Sequence, residues 1–274
     1  MIVIMIEVLK SIIFGIIQGI TEWLPISSTG HLLLLDKFIT LNLSDGFKEL
    51  FMVVIQLGSI LAVLVLYFNT LNPFTKKKDK DEKRKTYNIW LKVIVASIPT
   101  GIIGVLFDDI VSEVLSTWQV IALMLFFYGV IYVILERFNK NRETRVNEID
   151  ELTYLDAFKM GCFQTLALIP GTSRSGSTIL GGLIIGVKRT VAAQFSFFMA
   201  IPAMFGASFF KLLKLGYHYS SIEYLVLFVG TLVSFIVSLL IIKALINYVK
   251  KHDFSVFGWY RIIISIIVTL VFIF

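Results

Sequence analysis

The sequence predicts an all-α integral membrane protein with six transmembrane helices and two re-entrant helix pairs in an inverted-topology repeat. Three observations predict it. Hydrophobic residues make up 57% of 274 positions and charged residues 16%, against about 45–50% and 25% in an ordinary globular chain. A water-soluble fold of this length cannot hide that excess, so lipid is the main solvent. Six apolar segments have the length that a hydrocarbon core of about 30 Å demands, about 20 residues of helix. Two further apolar stretches are broken by polar residues, Gly and Pro. Disorder, coiled coil and nucleic-acid binding are excluded as organising themes. Cys162 is the single cysteine, so no internal disulfide forms.

Taken in order, the start MIVIMIEVLK lacks a basic n-region and a small-residue cleavage site, so no signal peptide is expected. Residues 11–35 are the first broken stretch, interrupted by Gln18, Glu22, Pro25, Ser27, Ser28 and His31. Backbone groups freed at membrane depth are tolerated only where they line a cavity. The stretch is therefore expected to enter partway and turn back. Spans 50–68 and 90–107 flank loop 69–92, whose eight basic residues are Lys92 and seven in the run Lys76–Lys85. Loop 108–117 has Asp108, Asp109 and Glu113 but no basic residue, and span 118–136 follows it. The next loop carries Arg137, Lys140, Arg142 and Arg145 beside Glu143, Glu148, Asp150 and Glu151. Residues 153–187 are the second broken stretch, interrupted by Gln164, Pro170 and the run Gly171-Thr172-Ser173-Arg174-Ser175-Gly176. Spans 191–210, 223–246 and 256–274 complete the chain, with Lys250, Lys251 and Arg261 assigned to the last loop.

Lys and Arg collect in cytoplasmic loops. The three basic loops are therefore expected inside and loop 108–117 outside. The first broken stretch then enters from outside, the second from inside, and both termini lie outside. The net charge of +6 is on this reading a topological address. The Lys76–Lys85 run serves either as that address or as a lipid headgroup site.

The two broken stretches resemble each other. Gly15-x-x-Gln18 followed by Pro25-Ile26-Ser27-Ser28-Thr29-Gly30 matches Gly161-x-x-Gln164 followed by Pro170-Gly171-Thr172-Ser173-Arg174-Ser175-Gly176, with one-residue gaps. The chain reads as a single membrane domain, 1–274, with repeats of approximately 1–136 and 153–274. Each repeat holds one broken pair and three spans, and the odd number turns the second copy upside down. Interrupted helices at matching positions mark a site near the midplane.

Ionisable groups inside a membrane are costly and so mark function. Gln18 and Glu22 are four apart and share a helical face; they hold a divalent cation through oxygen or staple helices together. Ser27, Ser28 and Thr29 follow a break, where hydroxyls either cap the next helix or do chemistry. His31 lies three residues after Ser28 on the same face, and a hydroxyl beside an imidazole is an activated nucleophile. His218 and His252 lie in loops. Arg174 is never deprotonated and needs an anion. Glycines around it allow a backbone nest, and the helix that follows aims its positive end at the same place. Together they fit phosphate; the alternative is a permanent pair with Glu22.

The motifs GIIQGITEWLPISSTGH at 15–31 and PGTSRSG at 170–176, with FMVVIQLGSILAV at 51–63 and GCFQTLALIPGTSRSG at 161–176, resemble the bacterial undecaprenyl-diphosphate phosphatases. This is the integral-membrane type whose excess confers bacitracin resistance, and the resemblance covers essentially the whole chain. It implies hydrolysis of undecaprenyl diphosphate to the monophosphate and phosphate in the bacterial cell membrane. It also implies a cleft open to the outer face and a divalent cation, Mg2+ or Ca2+. Glu22, Ser28, Thr29, His31, Ser173 and Arg174 stand where the family's site residues stand. Gln18 takes the first position of its acidic motif as the uncharged variant.

The expected mechanism has Ser28 attacking the terminal phosphorus while His31 takes its proton. Arg174 and the second break (Gly171, Thr172, Ser173 and Ser175), with Ser27 and Thr29, bind the diphosphate. Glu22, with Gln18, holds the cation. Attack by Ser27, or by water activated by His31 or Glu22, stays open. The partners expected are a polyprenyl diphosphate lipid and the membrane, with no nucleic acid; whether two copies form a homodimer stays open. The rival classes are a transporter or flippase of a lipid phosphate or other anion, which has no need of a Ser–His pair, and an intramembrane serine protease, which leaves Arg174 without a purpose.

Overall fold

The computed structural model describes residues 2–76, 78–140, 142–216 and 218–274, with the backbone alone at 45, 108–110, 112 and 113. The helices are α1 (Ile2–Thr21), α2 (Ser28–Phe38), α3 (Asp45–Leu66), α4 (Phe68–Leu71), α5 (Lys80–Ile110), α6 (Trp118–Asn139), α7 (Tyr154–Thr165), α8 (Arg174–Ile184), α9 (Arg189–Leu215), α10 (Ser221–Val249) and α11 (Ser255–Ile273). Among the described residues there is no β-strand. Seven helices among the described residues are long and apolar enough to cross a membrane: α1, α3, α5, α6, α9, α10 and α11. Six of them cover the expected spans to within two residues. The seventh is α1, which starts at Ile2, because Ile2–Lys10 continues the helix that leads into the first break.

Two expected loops are shorter than the sequence suggested. Helix α5 begins at Lys80 inside the basic loop, where Asp79 Oδ1 accepts from Glu82 N (2.8 Å) and Glu82 Oε2 accepts from Asp79 N (3.1 Å). That reciprocal cap, with Asp81 and Glu82 in the first turn, stabilises a helix start among lysines. Lys77 of the basic run lies outside the described residues. At the other end α5 is followed directly by a π-helical turn, Val111–Leu115, so little of loop 108–117 is left as loop. The side chains of Asp108, Asp109 and Glu113 lie outside the described residues.

Arg261 is the clearest correction. It belongs to no loop: it sits inside α11 and is wholly buried.

Both broken stretches are helical hairpins whose ends lie together. Lys10 Nζ donates to Thr40 O (2.8 Å) and Glu7 Oε2 accepts from Asn42 N (2.9 Å), tying α1 to the far end of α2. In the second hairpin Arg145 pairs with Asp156 at the start of α7 and also donates to Ile185 O at the end of α8 (3.4 Å). Asp156, at the start of this hairpin, is buried, which raises its pKa. Hydrogen bonds from Arg145 and Thr153 outweigh the burial and hold the carboxyl below its ordinary value.

Helices cannot be driven together by hydrophobicity in lipid, so close packing at small residues does the work. Helix α1 packs on α10, α5 on α7, α6 on α11, and α3 on both α9 and α10. A Cβ on Gly161 of α7 would lie 2.1 Å from Ala96 O of α5, and a Cβ on Gly129 of α6 would lie 2.8 Å from Gly258 O of α11.

Candidate active site

The site is built where the tips of the two hairpins meet. Each tip ends in a serine with positive φ, Ser27 at 70° and Ser173 at 75°. Each of these serines caps the helix that follows: Ser27 Oγ accepts from Gly30 N (3.4 Å) and Ser173 Oγ from Gly176 N (3.0 Å). A non-glycine residue in that region costs on the order of 1–3 kcal/mol and persists where the surroundings over-determine it. The pairs 15/161, 18/164, 27/173 and 30/176 share one constant spacing, so the sequence repeat extends to backbone conformation. Gly171 has φ +90°, and a Cβ there would meet Ile121 O at 2.6 Å, so only glycine fits this turn.

Glu22 is the hub. Its Oε2 accepts from Gln18 Nε2 (2.9 Å) and from Ser28 Oγ (2.9 Å), and its Oε1 accepts from Arg174 Nη2 (3.0 Å). Arg174 reaches across from the second hairpin, its guanidinium 5.5 Å from the centre of the Trp23 ring. Its Nη1 donates to Ser196 O (2.8 Å), and Thr178 and Ser196 share a hydroxyl contact of 2.5 Å behind it. Ser175 Oγ locks the hairpins together by sharing its one proton between Glu22 O (3.0 Å) and Leu24 O (3.2 Å). The carboxylate, hydroxyl and guanidinium expected from the two motifs are therefore one connected cluster. Ser28 and Arg174 are partly accessible, while Glu22 is buried.

His31 is placed differently from the expectation. Its Nδ1 lies 2.8 Å from Ser27 O and its Nε2 2.9 Å from Tyr260 Oη, with the two rings stacked 5.6 Å apart. A carbonyl only accepts, so Nδ1 carries a proton, and in the neutral ring Nε2 accepts from the tyrosine. Neither nitrogen is bonded to Ser28, whose hydroxyl is taken by Glu22. The shared helical face is real, but side chains on a helix tilt toward its N-terminus. His31 therefore folds back on the carbonyl four residues earlier. Ser28, first in α2, faces the end of α1.

Thr29 is exposed, and Thr172 is buried with Oγ1 unpartnered. Gln164, the counterpart of Gln18, is not in the cluster; its Nε2 donates to Thr100 Oγ1 (3.3 Å). Reading the sequence missed Ser196, Tyr260 and Arg261. Only Arg261 carried a signal, an arginine within an apolar span.

Among the described residues, no three His, Cys, Asp or Glu side chains gather to cage a metal. The donor set fits a shared cation instead. Gln18 Oε1 is buried without a partner, beside the Glu22 carboxylate. One carboxylate and one carbonyl suit a hard cation that takes its other ligands from phosphate and water.

The profile of the family described as Bacitracin resistance protein BacA matches residues 11–267. The chain belongs to the BacA family. Among similar proteins, an "Undecaprenyl-diphosphatase" of Desulfitobacterium hafniense is 52% identical over 98% of this chain and 97% of its own. One of Enterococcus faecalis is 54% identical over 97% of both chains, and an "Undecaprenyl-diphosphatase 1" of Clostridioides difficile is 52% identical over 96% of both. The resemblance stated from the two motifs is thus a family membership spanning nearly the whole chain. The apolar helices and the BacA family together make this a multi-pass protein of the bacterial membrane.

Proposed function

We propose that this protein hydrolyses undecaprenyl diphosphate to undecaprenyl phosphate and inorganic phosphate, recycling the lipid carrier for cell-wall synthesis. The observation that carries the reading is Arg174 of one hairpin meeting Glu22 of the other, whose carboxylate also holds the Ser28 hydroxyl. A guanidinium, a carboxylate and a hydroxyl in one cluster supply anion binding, a base and a nucleophile. The names borne by relatives of about half-identical sequence support the substrate.

The terminal phosphate takes the place of Glu22 on Arg174, whose planar fork suits phosphate oxygens. Ser28 Oγ attacks the terminal phosphorus, and its proton passes to Glu22 Oε2, to which it is already hydrogen-bonded. The bond from phosphorus to the bridging oxygen breaks, and undecaprenyl phosphate leaves with the electron pair. Glu22 passes that proton to the oxygen of the departing undecaprenyl phosphate, then takes one from the water that attacks the phosphoserine. Ser28 Oγ leaves with the electron pair of its bond to phosphorus and takes the proton back from Glu22, and phosphate is released. His31 holds the turn at Ser27 rather than accepting the serine proton. A divalent cation, Mg2+ or Ca2+, held by Glu22 and Gln18 would neutralise diphosphate charge.

The same reading assigns the two hairpins as re-entrant, leaving six spans, in one domain of two inverted repeats. Packing supports the repeat: α1 on α10 and α5 on α7 are exchanged by matching α1 with α7 and α5 with α10, while α6 on α11 and α3 on α9 map onto themselves. The basic loops put the entry of the second hairpin on the cytoplasmic side, and membership of the family supports a cleft open to the outer face.

Phosphate release from a polyprenyl diphosphate by the purified protein in detergent, without any gradient, tests the reading. Release is expected, and Arg174→Ala reduces it at least about 100-fold. A lipid or anion carrier releases none, and an Arg174→Ala protein with wild-type turnover contradicts the site.

A further inference from the structure

We propose that Arg261 is a positioning residue that sets the distance between the two hairpin tips and so assembles the phosphate site. Arg261 is wholly buried in α11, and among the described residues it has no acidic partner within ion-pair distance. Its guanidinium instead donates to four backbone carbonyls. Nη1 reaches Pro25 O (3.2 Å); Nη2 reaches Gly171 O (2.9 Å) and Met124 O (3.1 Å); Nε reaches Leu125 O (3.4 Å). The face of Tyr128 lies 5.6 Å away.

The identity of those carbonyls gives the role. Pro25 belongs to the first tip, three residues before Ser28, and Gly171 to the second, three residues before Arg174. Met124 and Leu125 belong to α6, against which α11 packs. A helix break frees carbonyls, and inside a membrane each of them needs a donor. One planar fork of five N–H groups satisfies carbonyls from both tips and from α6 at once. An ammonium, a point charge on a flexible stem, cannot span them. The fork therefore bolts the nucleophile's turn and the phosphate-binding turn to the same scaffold helix. Its charge, left without an anion, adds to the field that draws a diphosphate to the tips.

The inference rests on the phosphate site proposed above, and inorganic phosphate separates the two. Phosphate is expected to inhibit wild-type turnover competitively; its failure to do so removes the site reading itself. R261K keeps the charge and loses the fork. It is expected to raise the inhibition constant for phosphate about tenfold and lower kcat about 100-fold, the cost of misplacement by about 1 Å. The KM for the lipid stays within about threefold, since the tail's contacts are untouched. An inhibition constant does not depend on how much of the protein folds, so a merely structural role leaves it unmoved. R261K with the wild-type constant overturns the proposal. Should R261K leave no active protein, Tyr128→Leu decides: it keeps Arg261 but removes the ring over it, a shift in the same direction is expected, and an unchanged constant overturns the proposal.

Discussion

A carboxylate that touches both a hydroxyl and a guanidinium can be a base or a counter-ion, and Glu22 is arranged to be each in turn. Without substrate it neutralises Arg174, and removing one partner of a buried pair leaves the other charge exposed to the full cost of burial. Glu22→Gln is therefore expected to lower the melting temperature in detergent and to cut turnover by about 10²–10⁴, the range of a lost general base. Added phosphate should recover part of the melting temperature, because the anion takes the vacated place on Arg174. A Glu22→Gln protein that turns over normally would remove Glu22 from the chemistry. At this scale the sequence was partly legible. Glu22, Ser28 and Arg174 were readable because charge inside an apolar stretch must be used. The partner of Ser28 was not, since three-residue spacing places His31 on the same face without saying which way either side chain leans. Ser196 gave no sign at all, being a small residue in an ordinary apolar helix.

Elements are held by small residues where backbones nearly touch. The Gly161 Cα faces Ala96 O so closely that an added methyl has no room, whereas a Cβ at Gly101 meets nothing within 4 Å. Gly161→Ala should destabilise the protein by forcing α7 off α5. Gly101→Ala should hold or raise stability by about 1 kcal/mol, since glycine is a poor helix former; thermal melting in detergent compares the two. Both variants falling alike would mean that close approach at Gly161 is not what seats α7. The Arg145–Asp156 pair closes the second hairpin from outside the apolar core. Its folded carboxyl titrates below the ordinary value, so its stabilisation is complete above that value and is lost as pH falls through the folded pKa. The wild type should therefore lose its advantage over Asp156→Asn between about pH 5 and pH 2. An advantage that is constant over that range would contradict the pairing. Helix–break–helix stretches were legible because Pro and Gly interrupt apolar runs. Helix ends were not: charged Lys80–Arg84 looks like loop until Asp79 and Glu82 are seen to cap each other.

Across the whole molecule, one serine conformation occurs twice, at the tips of two hairpins that come from opposite halves of the chain. Neither half has the full set of groups. The first supplies Glu22, Ser28 and His31, the second Arg174, Ser173 and Ser175, and α11 supplies the fork that joins them. Six of the seven long apolar helices and the two interruptions were legible from hydropathy alone. That Arg261 lies in the core was not, because near a span's end a cation that snorkels to the surface and one that is buried look the same in sequence. The central claim is that the two tips make one phosphoryl-transfer centre with Ser28 as nucleophile. Rapid quenching of the purified protein during turnover of undecaprenyl diphosphate labelled in its terminal phosphate, followed by peptide mapping, tests it most directly. The prediction is a phosphoryl group on Ser28 that forms and decays within the turnover time and is absent in Arg174→Ala. Full turnover with no labelled side chain, or with label at Ser27 or His31, would contradict it.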